Sequence, residues 1–186
     1  MAESTFLTGR LLLAMPGIGD PRFNRAAIAM CAHDEEGALG IGVGATFDGL
    51  TLHQLLEQVS VEPGVAPDVP VLVGGPVEPQ RGFVLHSRDW GGIETLDVAG
   101  RWALSGTLDV LKAIAAGKGP TRWLVALGYA GWGAGQLEEE LTGHGWFDVE
   151  GTDALLFDTP TDSRWAAAFT AGGIDASLLA AVPGRA

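Results

Sequence analysis

Short apolar runs broken by turn residues set the rhythm of this chain. Phe6 to Met15 is one such run, stopped by Pro16-Gly17, and its length and abrupt end predict a buried strand rather than a helix. Ala26 to Cys31 and Ala38 to Val43 flank the polar break Asp34-Glu35-Glu36-Gly37, the pattern of a hairpin. From Thr51 to Val59 the period changes: Leu52, Leu55, Leu56 and Val59 recur at helical spacing and predict a helix with one apolar face. Pro63, Gly64, Pro67 and Pro70 prevent a helix over Glu62 to Pro70. That segment reads as a connector to a strand at Val71 to Val73, which meets Gly74-Gly75-Pro76.

Further strands are predicted at Gly82 to Ser87, Ile93 to Val98, Arg122 to Leu127 and Ala154 to Phe157. Helices are predicted at Thr107 to Ala116, ended by Gly117, at Gln136 to Leu141, and at Asp162 to Ala171, where Asp162 would cap and Gly172-Gly173 would stop. Hairpins arriving before and between helices favour an α+β fold over a doubly wound parallel sheet. The chain holds 28 glycines, many in or beside strands, and these permit the bends and bulges that curl a mixed sheet towards a barrel. No repeat or linker divides residues 1–186, which read as a single domain with a core fed by 47% hydrophobic content.

Charge narrows the partners. With 11 basic against 23 acidic side chains the formal charge is -12, which repels nucleic acid and anionic lipid. The basic residues are scattered singly, while Glu138, Glu139, Glu140, Asp148, Glu150, Asp153, Asp158 and Asp162 crowd the C-terminal third, so no basic stripe forms. The six tryptophans are not interleaved with cations, which favours packing over base stacking. One cysteine excludes an internal disulfide and fits a reducing compartment. The N-terminus lacks a signal-like apolar segment, so the expected location is cytoplasmic, away from membranes.

Several ordered motifs resemble one family. Asp20-Pro21-Arg22-Phe23 leads through Cys31-Ala32-His33 into Gly37-Ala38-Leu39-Gly40-Ile41; Leu72-Val73-Gly74-Gly75-Pro76-Val77 and Arg81-Gly82-Phe83-Val84-Leu85-His86 follow; Leu127-Gly128-Tyr129-Ala130-Gly131-Trp132 and Gly135-Gln136-Leu137-Glu138 close the series. Their order and spacing resemble the AlgH/YqgE family (UPF0301, DUF179) over nearly the whole chain. The resemblance implies a curved, partly barrel-like sheet flanked by helices, and a label of transcriptional regulator that the charge makes indirect. The chain departs at Val43-Gly44-Ala45-Thr46, where family members commonly carry Asn-Lys-Pro.

Two places could carry chemistry. Cys31 and His33 are two apart, so on a regular strand both side chains share a face and could form a thiolate–imidazolium pair for nucleophilic or redox work. The same residues also read as a core thiol and a satisfied imidazole, the commoner fate of a free cysteine. Gly74 and Gly75, with Arg81 downstream, could hold a carboxylate or a phosphate, as in a nucleotide-binding module, or simply join two strands with Arg81 paired to Glu78. Gly128, Gly131, Gly133 and Gly135 precede a helix, but without a P-loop lysine and ahead of Glu138 to Glu140 they read as a tight reversal. Cys31, His33, His53, His86 and His144 are dispersed. His33-x-Glu35 lacks the Pro-Cys-x-x-Cys of a zinc deaminase, so neither metal nor cofactor is expected. The balance favours a non-enzymatic protein with a protein or small-molecule partner over a thiol-dependent one.

Overall fold

The computed structural model describes residues 6–16 and 25–175. The opening motif at residues 20–23 lies outside these residues. The chain builds an α+β fold around a ten-stranded, strongly curled sheet whose path runs β10-β1-β2-β3-β9-β6-β8-β7, with β5 on β9 and β4 on β5. The strands are β1 (Arg10–Ala14), β2 (Ala27–Asp34), β3 (Gly37–Gly42), β4 (Thr46–Thr51), β5 (Pro70–Val73), β6 (Val77–His86), β7 (Thr95–Val98), β8 (Trp102–Ser105), β9 (Trp123–Gly133) and β10 (Trp146–Glu150). All pairings are antiparallel except β5 on β9, which sets Leu72 beside Ala126. The sheet is therefore mixed, as expected.

The predicted hairpin forms β2 and β3, joined by Glu35-Glu36. Helix α1 (Leu52–Gln58) starts at Thr51 with a capping box to Gln54 and buries Leu52, Leu55 and Leu56, the face its spacing predicts. Helix α2 (Leu108–Ala115) ends at Gly117, whose φ of +75° lets the chain turn off. Helix α3 (Gln136–Thr142) also falls where expected.

Four readings need correction. Ala154 to Phe157 is helix α4 (Asp153–Phe157) and not a strand: Thr152 caps it by accepting the Leu155 N–H at 3.2 Å, a local signal that an apolar run this short cannot outweigh. The glycines after Leu127 make no reversal. Strand β9 continues through them to Gly133, with Gly128 at φ +78° inside it, because β3 pairs with Gly131, Trp132 and Gly133. Asp162 lies in a 3-10 turn ahead of helix α5 (Arg164–Ala171), whose cap position is Ser163. Finally, β4, β8 and β10 were not foreseen. The β7–β8 hairpin closes at Ala99-Gly100, both at positive φ, and alanine conceals a turn that Asn-Gly would have announced.

Three apolar clusters cover both faces of the sheet. One fills the concave side, where Leu11, Leu13, Cys31, Ile41, Leu85 and Trp102 meet Leu156, Trp165 and Phe169 from α4 and α5. A second packs α1 and α2 on β5, β6 and β9, and a third seats α3 against β1, β2 and the end of β9. The curl is fastened at its ends: Arg101 of the β7–β8 turn donates to the Gly151 carbonyl at 2.7 Å and pairs with Glu150 at 2.9 Å at the end of β10.

Candidate functional site

The Cys31–His33 pair does not assemble. Met30 pairs with Gly40 but Ala32 pairs with Leu39, so Cys31 is the extra residue of a β-bulge. The bulge advances the in–out alternation by one. Cys31 faces the concave core, its Sγ 3.5 Å from the Ala29 carbonyl, and burial pushes its thiol up to about 12. His33 emerges on the convex side: its Nδ1 accepts the Leu7 N–H at 3.0 Å, which leaves Nε2–H to donate to Glu138 of α3 at 3.2 Å. That hydrogen bond holds the Glu138 carboxyl below its ordinary range. Neither geometry nor electrostatics makes this cysteine a nucleophile.

The Gly74-Gly75-Pro76 turn does border a cavity. The space measures about 370 Å³, within the range of small-molecule sites. It opens where the end of β3 and the start of β2 meet the turn, and its wall includes Ile28, Gly44, Ala45, Val73, Pro76 and Ala130. The glycines make this junction by close backbone approach: Gly42 N–H donates to the Gly74 carbonyl at 2.7 Å, and Gly74 N–H to Leu127 at 2.8 Å. A Cβ on Gly74 would fall 2.1 Å from the Gly128 carbonyl oxygen, and one on Gly75, itself at φ +153°, 2.1 Å from the Tyr129 carbonyl carbon.

Arg81, the cation expected here, is elsewhere. Its guanidinium lies 5.0 Å above the Phe83 ring and 3.7 Å from Glu78. The cation that lines the cavity is Arg25, whose guanidinium carbon lies over the Trp165 ring, 5.3 Å from its centre. Among the described residues no carboxylate pairs with it, and the main-chain N–H groups of Gly44, Ala45 and Gly75 have no hydrogen-bond partner. No periodicity marks Arg25; it enters through the third dimension. A second cavity of about 410 Å³ beside Pro67, Trp123 and Phe157 differs in that its cation, Arg122, is already paired with Asp158 at 3.2 Å.

Two further buried polar groups, Arg164 and His86, tie the fold together. Arg164, 2% exposed, donates to the carbonyls of Leu155, Leu156 and Thr159 at 2.8, 2.8 and 2.9 Å and to that of Val43, binding α4 to the end of β3. Burial lowers it to about 10, so it stays charged at neutral pH. His86 donates from Nδ1 to the Ser87 carbonyl at 2.7 Å, and its Nε2 lies 2.8 Å from Ser105 Oγ, which contacts Thr95 Oγ1 at 2.8 Å. Burial lowers the His86 pKa and keeps the ring neutral. This serine–histidine contact has the form of a catalytic dyad, but with His86 and Ser105 no more than 1% exposed it closes a core network rather than meeting a substrate. No cluster of three or more metal-ligating side chains occurs among the described residues.

Comparison with known proteins places these features in a family. The model described as DUF179: AlgH-like matches residues 11–177. A UPF0301 protein of Rhizorhabdus wittichii is 63% identical over 97% of both chains, and one of Novosphingobium aromaticivorans 59% identical over 100% of both. The solution structure of the AlgH protein from Pseudomonas aeruginosa superimposes with a TM-score of 0.79 at 40% identity, over 100% of this chain and 99% of that one. A Corynebacterium diphtheriae protein at 19% identity, covering 90% and 87% of the two chains, shares the fold with a TM-score of 0.71.

Proposed function

We propose, since the chain belongs to the AlgH-like family of UPF0301 proteins, that it is a non-enzymatic cytoplasmic binding protein. Its role is to influence transcription indirectly, through a small-molecule ligand and the protein partner that reads the bound state. One observation carries this reading. Among the described residues, the cavity at Gly74-Gly75-Pro76 combines an apolar wall with main-chain N–H groups that have no partner and an arginine without a counter-ion, and no nucleophile or acid–base pair lines it. Such a place binds and does not transform. An indirect route follows from the charge of -12, which deprives duplex DNA of the phosphate neutralisation that supplies its affinity.

Two measurements test this. A thermal-shift screen of cytosolic metabolites should yield ligands that raise the melting temperature of the native protein but not of Ala45→Trp, whose indole would fill the cavity from an exposed position. Hits that act equally on both proteins would move the site elsewhere. Salt-sensitive submicromolar binding to unrelated duplexes would overturn the indirect route.

A further inference from the structure

We infer that the cavity takes an amphipathic monoanion: a small aliphatic body carrying one carboxylate or similar single-charged head. The inference rests on the cavity reading above and names its ligand class. The described wall contributes Ala26, Ala27, Ile28, Val73, Pro76 and Ala130, all aliphatic, and among the described residues that line it there is no aromatic ring on which a nucleobase could stack. Among the described residues that line it, Arg25 is the only ionisable one. A polyphosphate needs several cations, and a protein of charge -12 repels it from a distance.

The placing of Arg25 selects the head group. Its guanidinium lies over the Trp165 ring, and Trp165 is itself fixed by an Nε1–H bond to the Ala14 carbonyl at 3.0 Å. The contact with the ring uses no N–H of the guanidinium, and a carboxylate is the partner that a guanidinium engages with two parallel hydrogen bonds. Gly44, Ala45 and Gly75, whose N–H groups have no hydrogen-bond partner among the described residues, belong to the same wall. An aliphatic tail against Ile28 and Val73 then gains by leaving water, so head and tail have separate receptors.

Octanoate, octanol and inorganic phosphate, titrated calorimetrically into the full chain, separate these contributions. Octanoate should bind at least about tenfold more tightly than octanol, the margin expected of a charge-assisted pair. Because the net charge opposes anions, such a preference must be local. Arg25→Gln should erase the preference while leaving the weaker octanol binding, Ala45→Trp should abolish both, and phosphate should bind far more weakly than octanoate. Equal binding of octanoate and octanol, both lost in Ala45→Trp, would overturn the anionic class and leave the cavity reading standing. Arg25-dependent phosphate binding as tight as that of octanoate would overturn the aliphatic body. Octanoate binding that survives Ala45→Trp would overturn the placement. If neither octanoate nor octanol binds, the class falls, and the cavity reading falls with it only if the metabolite screen also yields no hit sensitive to Ala45→Trp.

Discussion

Arg164 and Arg25 act around the same stretch of chain, Val43-Gly44, and end in opposite states. Arg164 is buried, and main-chain carbonyls from α4, from the turn after it and from Val43, just past β3, accept its hydrogen bonds. Arg25 is exposed, lies over the Trp165 ring, and has no carboxylate partner among the described residues. A buried cation is tolerable only when its donors are satisfied, so Arg164 reports on folding. A cation beside a cavity with donors to spare reports on what can bind. The same contrast separates Cys31 and His33, whose chemistry is enclosed or already hydrogen-bonded, from the Gly75 turn, whose N–H has no partner among the described residues.

The contrast can be broken most forcefully at Arg164. Arg164→Met should cost about 3–5 kcal/mol in urea unfolding, since it strands buried carbonyls where water cannot reach them. A loss no larger than that of Arg25→Gln would end the distinction between the two arginines. Gly75→Val comes next, at about 3 kcal/mol, combining a strained φ with a Cβ inside the contact distance of β9. Arg81→Ala, by comparison, removes a half-exposed side chain and should leave the melting temperature almost unchanged.

Cys31→Ala should cost about 1 kcal/mol or somewhat more for its small cavity. In the native protein a maleimide should react with Cys31 only on unfolding, at a rate that His33→Gln does not slow. The raised thiol pKa has a definite sign: its contribution is complete below pH 9.0, the ordinary thiol value, and is lost as pH climbs towards about 12, because only the unfolded chain ionises in that window. Wild-type stability should therefore fall more steeply there than that of Cys31→Ala; parallel curves would show the thiol to be accessible. The smallest effect belongs to Arg25→Gln, which should change stability by less than about 1 kcal/mol, the value of an exposed cation–π contact. A larger loss would make Arg25 a structural residue and weaken the case for a ligand.

Much of the fold was legible where local chemistry and global packing agreed. The apolar face of α1, the acidic hairpin turn and the stop at Gly117 each appear where the sequence places them. Short elements were not legible. Ala-Leu-Leu-Phe is strand or helix by periodicity alone, and the Arg164 side chain, from the next helix, donates to the Leu155 and Leu156 carbonyls and helps hold it helical. The edge strand β10 mixes Asp148 and Glu150 with its apolar residues, because Asp148 pairs outward with Arg10 at 2.6 Å.

The candidate site divides in the same way. Sequence by itself determined that the Gly74-Gly75-Pro76 turn is special, that direct DNA binding is electrostatically opposed, and which motifs in which order mark the family. These depend on residue type, local spacing and net charge, all of which are properties of the chain before it folds. Only the tertiary structure decided that Cys31 and His33 lie on opposite faces, since a bulge is a register choice between two strands and leaves no trace in either one. Only it exchanged Arg81 for Arg25, because a cavity is a meeting of β2, β3 and a distant turn, and sequence neighbours need not be neighbours across it.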